Sequence, residues 1–185
     1  MINVAIVGYG SLGRGVKKAL ESNPDTKLVA LFTRRPEQLK KDIKDIPVFS
    51  SEKVTPPGDI KIDVAILCGG SKEDTPVQGP VFARLFNTVD SFDTHADIPA
   101  YFQKMDAVVK ETGHAAVISA GWDPGIFSLQ RVYGDAFLPH SKNYTFWGKG
   151  VSQGHSDAAR KIEGVLDAPA VHHSAGRRFK QGQER

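Results

Sequence analysis

Short β-branched runs alternate with helical periodicities along most of the chain, a pattern that predicts βαβ units and a parallel sheet. Asn3–Val7 is a continuous apolar run suited to a strand buried on both faces. Beyond it, Leu12, Val16, Ala19 and Leu20 recur at helical spacing until Asn23-Pro24-Asp25 ends the helix. Lys27–Phe32 predicts a second strand, Pro36–Lys44 a short charged helix, and Val48 the centre of a weak third strand. Lys53–Asp59 reads as a loop, and Asp63–Leu67 as a fourth strand. Pro76, Gly79 and Pro80 interrupt the next apolar stretch, so its helix is expected to begin near Pro80. Thr88–Phe92, Ala100–Thr112 and Ala115–Ser119 complete the alternation as strand, helix and strand.

After Gly121-Trp122-Asp123-Pro124-Gly125 the pattern changes. A helix over Ile126–Tyr133, a strand over Tyr144–Trp147 outside the parallel sheet, and a polar helix over His155–Glu163 are expected. The organisation predicted is a doubly wound Rossmann-type α/β domain over 1–122, followed by the start of an incomplete α+β domain over 123–167. Residues 168–185 lack apolar periodicity and are expected to form a tail without a packed element.

Composition narrows the function classes. Of 185 residues, 40% are hydrophobic and 24% charged, a globular balance, and no apolar run approaches a membrane span. No secretory signal pattern opens the chain, and Cys68 is the single cysteine, which excludes an internal disulfide and a multi-cysteine zinc site; a cytoplasmic setting is expected. The net charge of +3 arises from Arg177, Arg178, Lys180 and Arg185 against Glu184 in the tail, and the body up to Asp167 is neutral. With no basic stripe in the body, nucleic acid is not an expected partner, nor is a membrane.

Gly8-Tyr9-Gly10-Ser11-Leu12-Gly13 is a G-x-G-x-x-G turn placed between a predicted strand and helix, the context in which glycines admit a dinucleotide pyrophosphate to a helix N-terminus. The same glycines also serve a purely structural turn. Roughly 20 residues later an NAD site carries an acid for the ribose 2′-hydroxyl. This chain has Thr33-Arg34-Arg35 instead, a hydroxyl and two guanidiniums suited to a 2′-phosphate, so NADP is the expected cofactor; a solvated basic turn is the alternative. Cys68-Gly69-Gly70-Ser71 ends the fourth strand where ligands of open sheets bind, and Cys68, without an activating neighbour, is expected to be an inert buried thiol. Asp93 and Asp123 stand at strand ends, where two carboxylates can hold an ammonium-bearing substrate or take its proton; capping of the following helices is the competing role. His95 and His155 are isolated, so no metal site is expected.

Together VAIVGYGSLGRGV, FTRRPE, LCGGS, SFDTHADIP, SAGWDPGIFSLQRV and WGKGVSQGHSDAARKIEGV resemble the meso-diaminopimelate dehydrogenases, with the resemblance running to about Asp167. That resemblance implies oxidative deamination of the D-centre of meso-2,6-diaminopimelate with NADP. An imine forms, and water displaces ammonia to leave L-2-amino-6-oxopimelate, a reaction of lysine biosynthesis that runs in reverse as reductive amination. It also implies a homodimer, contacts of Tyr9–Leu12 with the pyrophosphate and of Thr33, Arg34 and Arg35 with the 2′-phosphate. Cys68–Ser71, Ser91-Phe92-Asp93 and Gly121–Gly125 would line the nicotinamide side. Asp93 and Asp123 would hold the D-amino group, with Trp147, Gln153 and Gly154 completing that wall of the substrate pocket. Members of the family continue well past this length, so a truncated or frameshifted member is the expectation. The alternatives are an inactive NADP-binding remnant and a reductase of the dihydrodipicolinate reductase or Gfo/Idh/MocA type.

Overall fold

The computed structural model describes residues 1–55, 58–140, 150–152, 156, 159–160, 162–166 and 168–172. It divides into two compact units, 1–137 and 138–185. In the first, six parallel strands lie in the order β3-β2-β1-β4-β5-β6, the doubly wound arrangement the alternating pattern predicts. The strands are β1 (Ile2–Val7), β2 (Thr26–Thr33), β3 (Val48–Ser50), β4 (Val64–Leu67), β5 (Asn87–Asp90) and β6 (Ala116–Val117). Their connections are α1 (Ser11–Glu21), α2 (Pro36–Asp42), α3 (Thr75–Ala83) and α4 (Ile98–Thr112), with α5 (Ile126–Phe137) following β6.

Strand periodicity sorts the core onto two faces. Ala5 and Val7 of β1 pack with Ala30, Phe32 and Leu67 and with Phe82 of α3. Ile6, between them, packs with Leu31 and with Val16 and Leu20 of α1. A third cluster seats Tyr101, Met105 and Val108 of α4 against Ala83 and Phe92. Because β1 and β4 are neighbours while β2 lies on the other side of β1, the chain reverses winding direction at β1, and a crevice opens at the carboxyl ends of these strands.

One helix begins earlier than its prolines predict. α3 starts at Thr75, with Pro76 in its first turn, where a missing N–H costs nothing, and it carries Pro80 inside. Pro80 cannot donate to the Pro76 carbonyl four residues back; Lys104 Nζ of α4 donates to that oxygen instead, at 3.1 Å. A side chain from a neighbouring helix thus replaces the lost backbone bond.

In the second unit, β7 (Gly150–Ser152) pairs antiparallel with β8 (Ala170–His172), with Val151 opposite Val171. This corrects the expectation for 168–185: a three-residue stretch centred on Val171, too short to show periodicity, finds its hydrogen-bonding partner nearly twenty residues away. Ser156, Ala159 and Arg160 are helical within the segment expected as the last helix. The strand expected over Tyr144–Trp147 lies outside the described residues, as do Trp147, Gln153 and Gly154.

Candidate active site

The turn after β1 is built by steric necessity at two of its three glycines. Gly8 has φ +93°, and a Cβ there would meet the Cys68–Gly69 backbone at 3.0 Å. A Cβ on Gly13 would lie 2.2 Å from the Gly8 carbonyl oxygen, so only glycine lets α1 seat against the turn. Gly10 differs: its missing Cβ faces open space. It is the N-cap of α1, which has no side-chain cap and no acid in its first turn. The first N–H groups of α1 therefore face the crevice with their positive end uncompensated.

That crevice is a cavity of about 690 Å³. Gly8, Tyr9 and Gly10 form one wall, the Cys68–Gly70 turn another, and Thr33, Arg34 and Arg35 close the end beyond β2. Thr33 Oγ1 accepts the Arg35 N–H at 3.3 Å, which shapes the basic turn. Both arginines are exposed. Arg34 is held 3.4 Å from Asp74, whose other carboxylate oxygen accepts the Gly70 N–H at 2.9 Å. Asp74 thus ties the basic turn to the glycine turn after β4. Cys68 is buried, and desolvation pushes its thiol up to about 12, which leaves a protonated group without nucleophilic character.

Further along the carboxyl edge, Ser71 Oγ donates to Asp93 Oδ1 at 2.5 Å, joining the β4 and β5 turns. The five residues Gly121–Gly125 close on themselves. The Gly121 N–H donates to Pro124 O at 3.0 Å, and the Ile126 N–H to Gly121 O at the same distance. Gly125 has φ +139°, and a Cβ there would lie 1.8 Å from Gly121 O. Trp122 and Asp123 project from this loop and are exposed, with Trp122 stacked on Phe127 at 5.7 Å. A Cβ built on Gly121 would stand 3.9 Å from the Ser91 side chain, so the 91–93 and 121–125 loops are neighbours. The structure therefore brings the glycine turn, the basic turn, Cys68–Ser71, Ser91–Asp93 and Gly121–Gly125 to one edge of one sheet. Among the described residues no cluster of three or more His, Cys, Asp or Glu could hold a metal. Asp74 is a member of this edge that sequence reading missed, because nothing in its local pattern separates it from an ordinary helix cap.

Comparison with known proteins gives this edge a lineage. The curated meso-diaminopimelate D-dehydrogenase of Ureibacillus thermosphaericus is 56% identical over 172 residues, covering 90% of this chain and 51% of that protein. This chain is a relative of the meso-diaminopimelate D-dehydrogenases. The family described as diaminopimelic acid dehydrogenase C-terminal domain matches residues 121–177, past the Asp167 at which the resemblance was expected to stop. Among solved structures, the C. glutamicum diaminopimelate dehydrogenase in complex with DAP superposes with a TM-score of 0.78 at 48% identity, covering 91% of this chain and 51% of that one. An engineered D-amino acid dehydrogenase bound to NADP+ superposes with a TM-score of 0.76 at 46% identity and the same coverage. The chain spans about half the length of these relatives.

Proposed function

We propose that this chain is the NADP-binding, D-centre-recognising part of a meso-diaminopimelate dehydrogenase. The observation that carries the cofactor reading is the pairing of an open Gly10 at an uncapped helix N-terminus with two exposed arginines across one cavity. A pyrophosphate fits the first and a 2′-phosphate the second. No acid stands among Thr33, Arg34 and Arg35 to bind a bare ribose hydroxyl, and the homologous engineered enzyme is described as bound to NADP+. NADP+ when bound supplies the hydride acceptor.

The chain's own groups do the rest. Gly69 and Gly70 leave the cavity wall free of side chains where the dinucleotide would run, and Ser71 orients the Asp93 carboxylate. Asp93 and Asp123, both exposed on adjacent loops, attract the ammonium of the substrate's D-centre and hold its nitrogen, which must give up a proton before the Cα hydrogen can leave as hydride to the bound NADP+. Either carboxylate can take the proton that the nitrogen loses. Water then displaces ammonia from the imine. A cytoplasmic setting and a homodimer belong to the same reading.

The test is titration of the purified chain with NADP+ and NAD+, then with meso-diaminopimelate on the NADP+ complex, together with NADPH formation. The expected result is tighter binding of NADP+ and a saturable response to the meso isomer that the L,L isomer does not give. Equal affinity for the two nucleotides refutes the cofactor assignment, and an equal response to both isomers refutes the substrate assignment.

A further inference from the structure

A buried carboxylate is costly unless hydrogen-bond donors meet both of its oxygens. Asp90, the last residue of β5, is 1% exposed. Its Oδ1 accepts the Phe92 N–H and the Ser119 N–H, each at 3.0 Å. Its Oδ2 accepts the Tyr101 hydroxyl at 2.7 Å, and its backbone carbonyl accepts the Ala120 N–H at 2.7 Å. Phe92 precedes Asp93; Ser119 and Ala120 lead into the loop that carries Asp123. One side chain therefore holds the roots of both substrate-side loops.

We propose that Asp90 is a positioning residue that couples the 91–93 loop to the 119–125 loop and thereby sets the relative placement of Asp93 and Asp123. The inference rests on the roles assigned above to those two carboxylates.

Three further observations point the same way. Ser119 has φ +58°, a left-handed conformation that a serine adopts at a cost, and its N–H is held by Asp90. Tyr101 reaches Asp90 only because residue 79 is glycine: a Cβ there would lie 2.1 Å from the Tyr101 hydroxyl oxygen. Glycine in the interior of α3 weakens that helix, so its presence answers to the tyrosine. Burial, then the hydrogen bond to Asp90, raises the Tyr101 pKa far above its ordinary range, so the hydroxyl remains a donor at any working pH. Asp93 meanwhile keeps its own carboxylate exposed, bonded to Ser71.

The experiment compares the unsubstituted chain with D90A, D90N, Y101F and V108A. Each is followed by residue-resolved amide exchange, by NADP+ affinity, and by meso-diaminopimelate affinity in the presence of NADP+. Val108 is buried in the same cluster as Tyr101 and Phe92 but makes none of the hydrogen bonds to Asp90, so V108A reports loss of packing there without loss of the Asp90 contacts. D90A is expected to speed exchange at Phe92 and Ser119 together and to weaken meso-diaminopimelate binding about tenfold, with a clearly smaller effect on NADP+, whose phosphate contacts are assigned to the turns after β1 and β2. Asparagine can accept both N–H groups on Oδ1 and donate to the Tyr101 oxygen from Nδ2, so D90N should restore both readouts. Should D90A fail to fold, Y101F carries the same expectation in milder form. Loosening of one loop only, equal loss of NADP+ affinity, failure of D90N to restore the loops, or the same joint loosening in V108A would overturn the coupling. Absence of meso-diaminopimelate binding in the unsubstituted chain would overturn the roles of Asp93 and Asp123 instead, and the exchange rates would still decide the coupling.

Discussion

Replacing Gly13 by alanine puts a methyl carbon 2.2 Å from the Gly8 carbonyl oxygen, a contact between two backbone-anchored atoms that no rotamer change relieves. To reach an ordinary separation, α1 must move off the turn by about 1 Å. Overpacking of this kind costs about 1–3 kcal/mol, and the rigidity of both partners places Gly13 near the upper end. The alanine itself favours the helix by about 0.5–1 kcal/mol. The net loss expected is about 2 kcal/mol, a fall of about 4–8 °C in Tm for a chain of this size. Gly15, in the same helix, is the internal control, because a Cβ there meets nothing within 4 Å. Gly15→Ala should gain about 0.5–1 kcal/mol. Thermal and urea unfolding of both variants by circular dichroism makes the comparison. Wild-type stability in Gly13→Ala would mean that α1 is not seated on the Gly8 carbonyl, and an equal loss in Gly15→Ala would mean that the effect is not steric.

Arg35→Asp replaces the arginine proposed to meet the 2′-phosphate with a repelling charge and should weaken NADP+ by about tenfold or more while sparing NAD+, read by competitive titration. Asp123→Asn should weaken meso-diaminopimelate by about tenfold and NADP+ by clearly less, since a charge-assisted contact to the substrate becomes a neutral one. The Cys68 thiol should resist a disulfide-forming reagent in the folded chain and react on unfolding. Because its pKa is raised by burial from 9.0 to about 12, the folded state favours the protonated form. Its stabilising contribution is complete below pH 9.0 and is lost as pH rises toward 12, so Cys68→Ala should flatten that part of the stability profile relative to wild type.

The sheet was readable because β1, β2 and β4 carry continuous apolar runs between helical periodicities, and both faces of β1 are covered, with Ile6 turned to one and Ala5 and Val7 to the other. The glycine turn was readable for a related reason: G-x-G-x-x-G sets six consecutive residues between a strand and a helix, and Gly13 makes room for the nearby Gly8 carbonyl, although Gly8 itself answers to the distant Cys68–Gly69 backbone. The start of α3 was not readable, since the group that relieves Pro80, Lys104, comes from another helix. The pairing of β8 with β7 escaped for the same reason, as a three-residue strand carries its signal in its partner.

Asp90 shows where the difficulty concentrates and why it falls on the substrate side of the site. Read along the chain, Thr88–Phe92 is a strand with one acid in it, and the acids that drew attention were those at strand ends. The signal was present: an aspartate in a run that must be buried has to be satisfied by something. What satisfies it lies at Tyr101, eleven residues on, and at Ser119, twenty-nine residues on. The groups proposed to meet the pyrophosphate are gathered in one turn whose conformation Gly8 and Gly13 make possible. The two carboxylates proposed to meet the substrate instead sit on loops joined through the fold, and the proposed coupling sets their spacing through a buried group neither loop exposes. A substitution at Gly79 tests this chain of dependence from its far end. Gly79→Ala lies on α3, outside both loops, yet its methyl group would displace the Tyr101 hydroxyl. It should therefore speed amide exchange at Phe92 and Ser119 while leaving that at Gly8 and Gly10 unchanged. Unaltered exchange at the first pair, in a folded variant, would show that Tyr101 does not transmit the constraint.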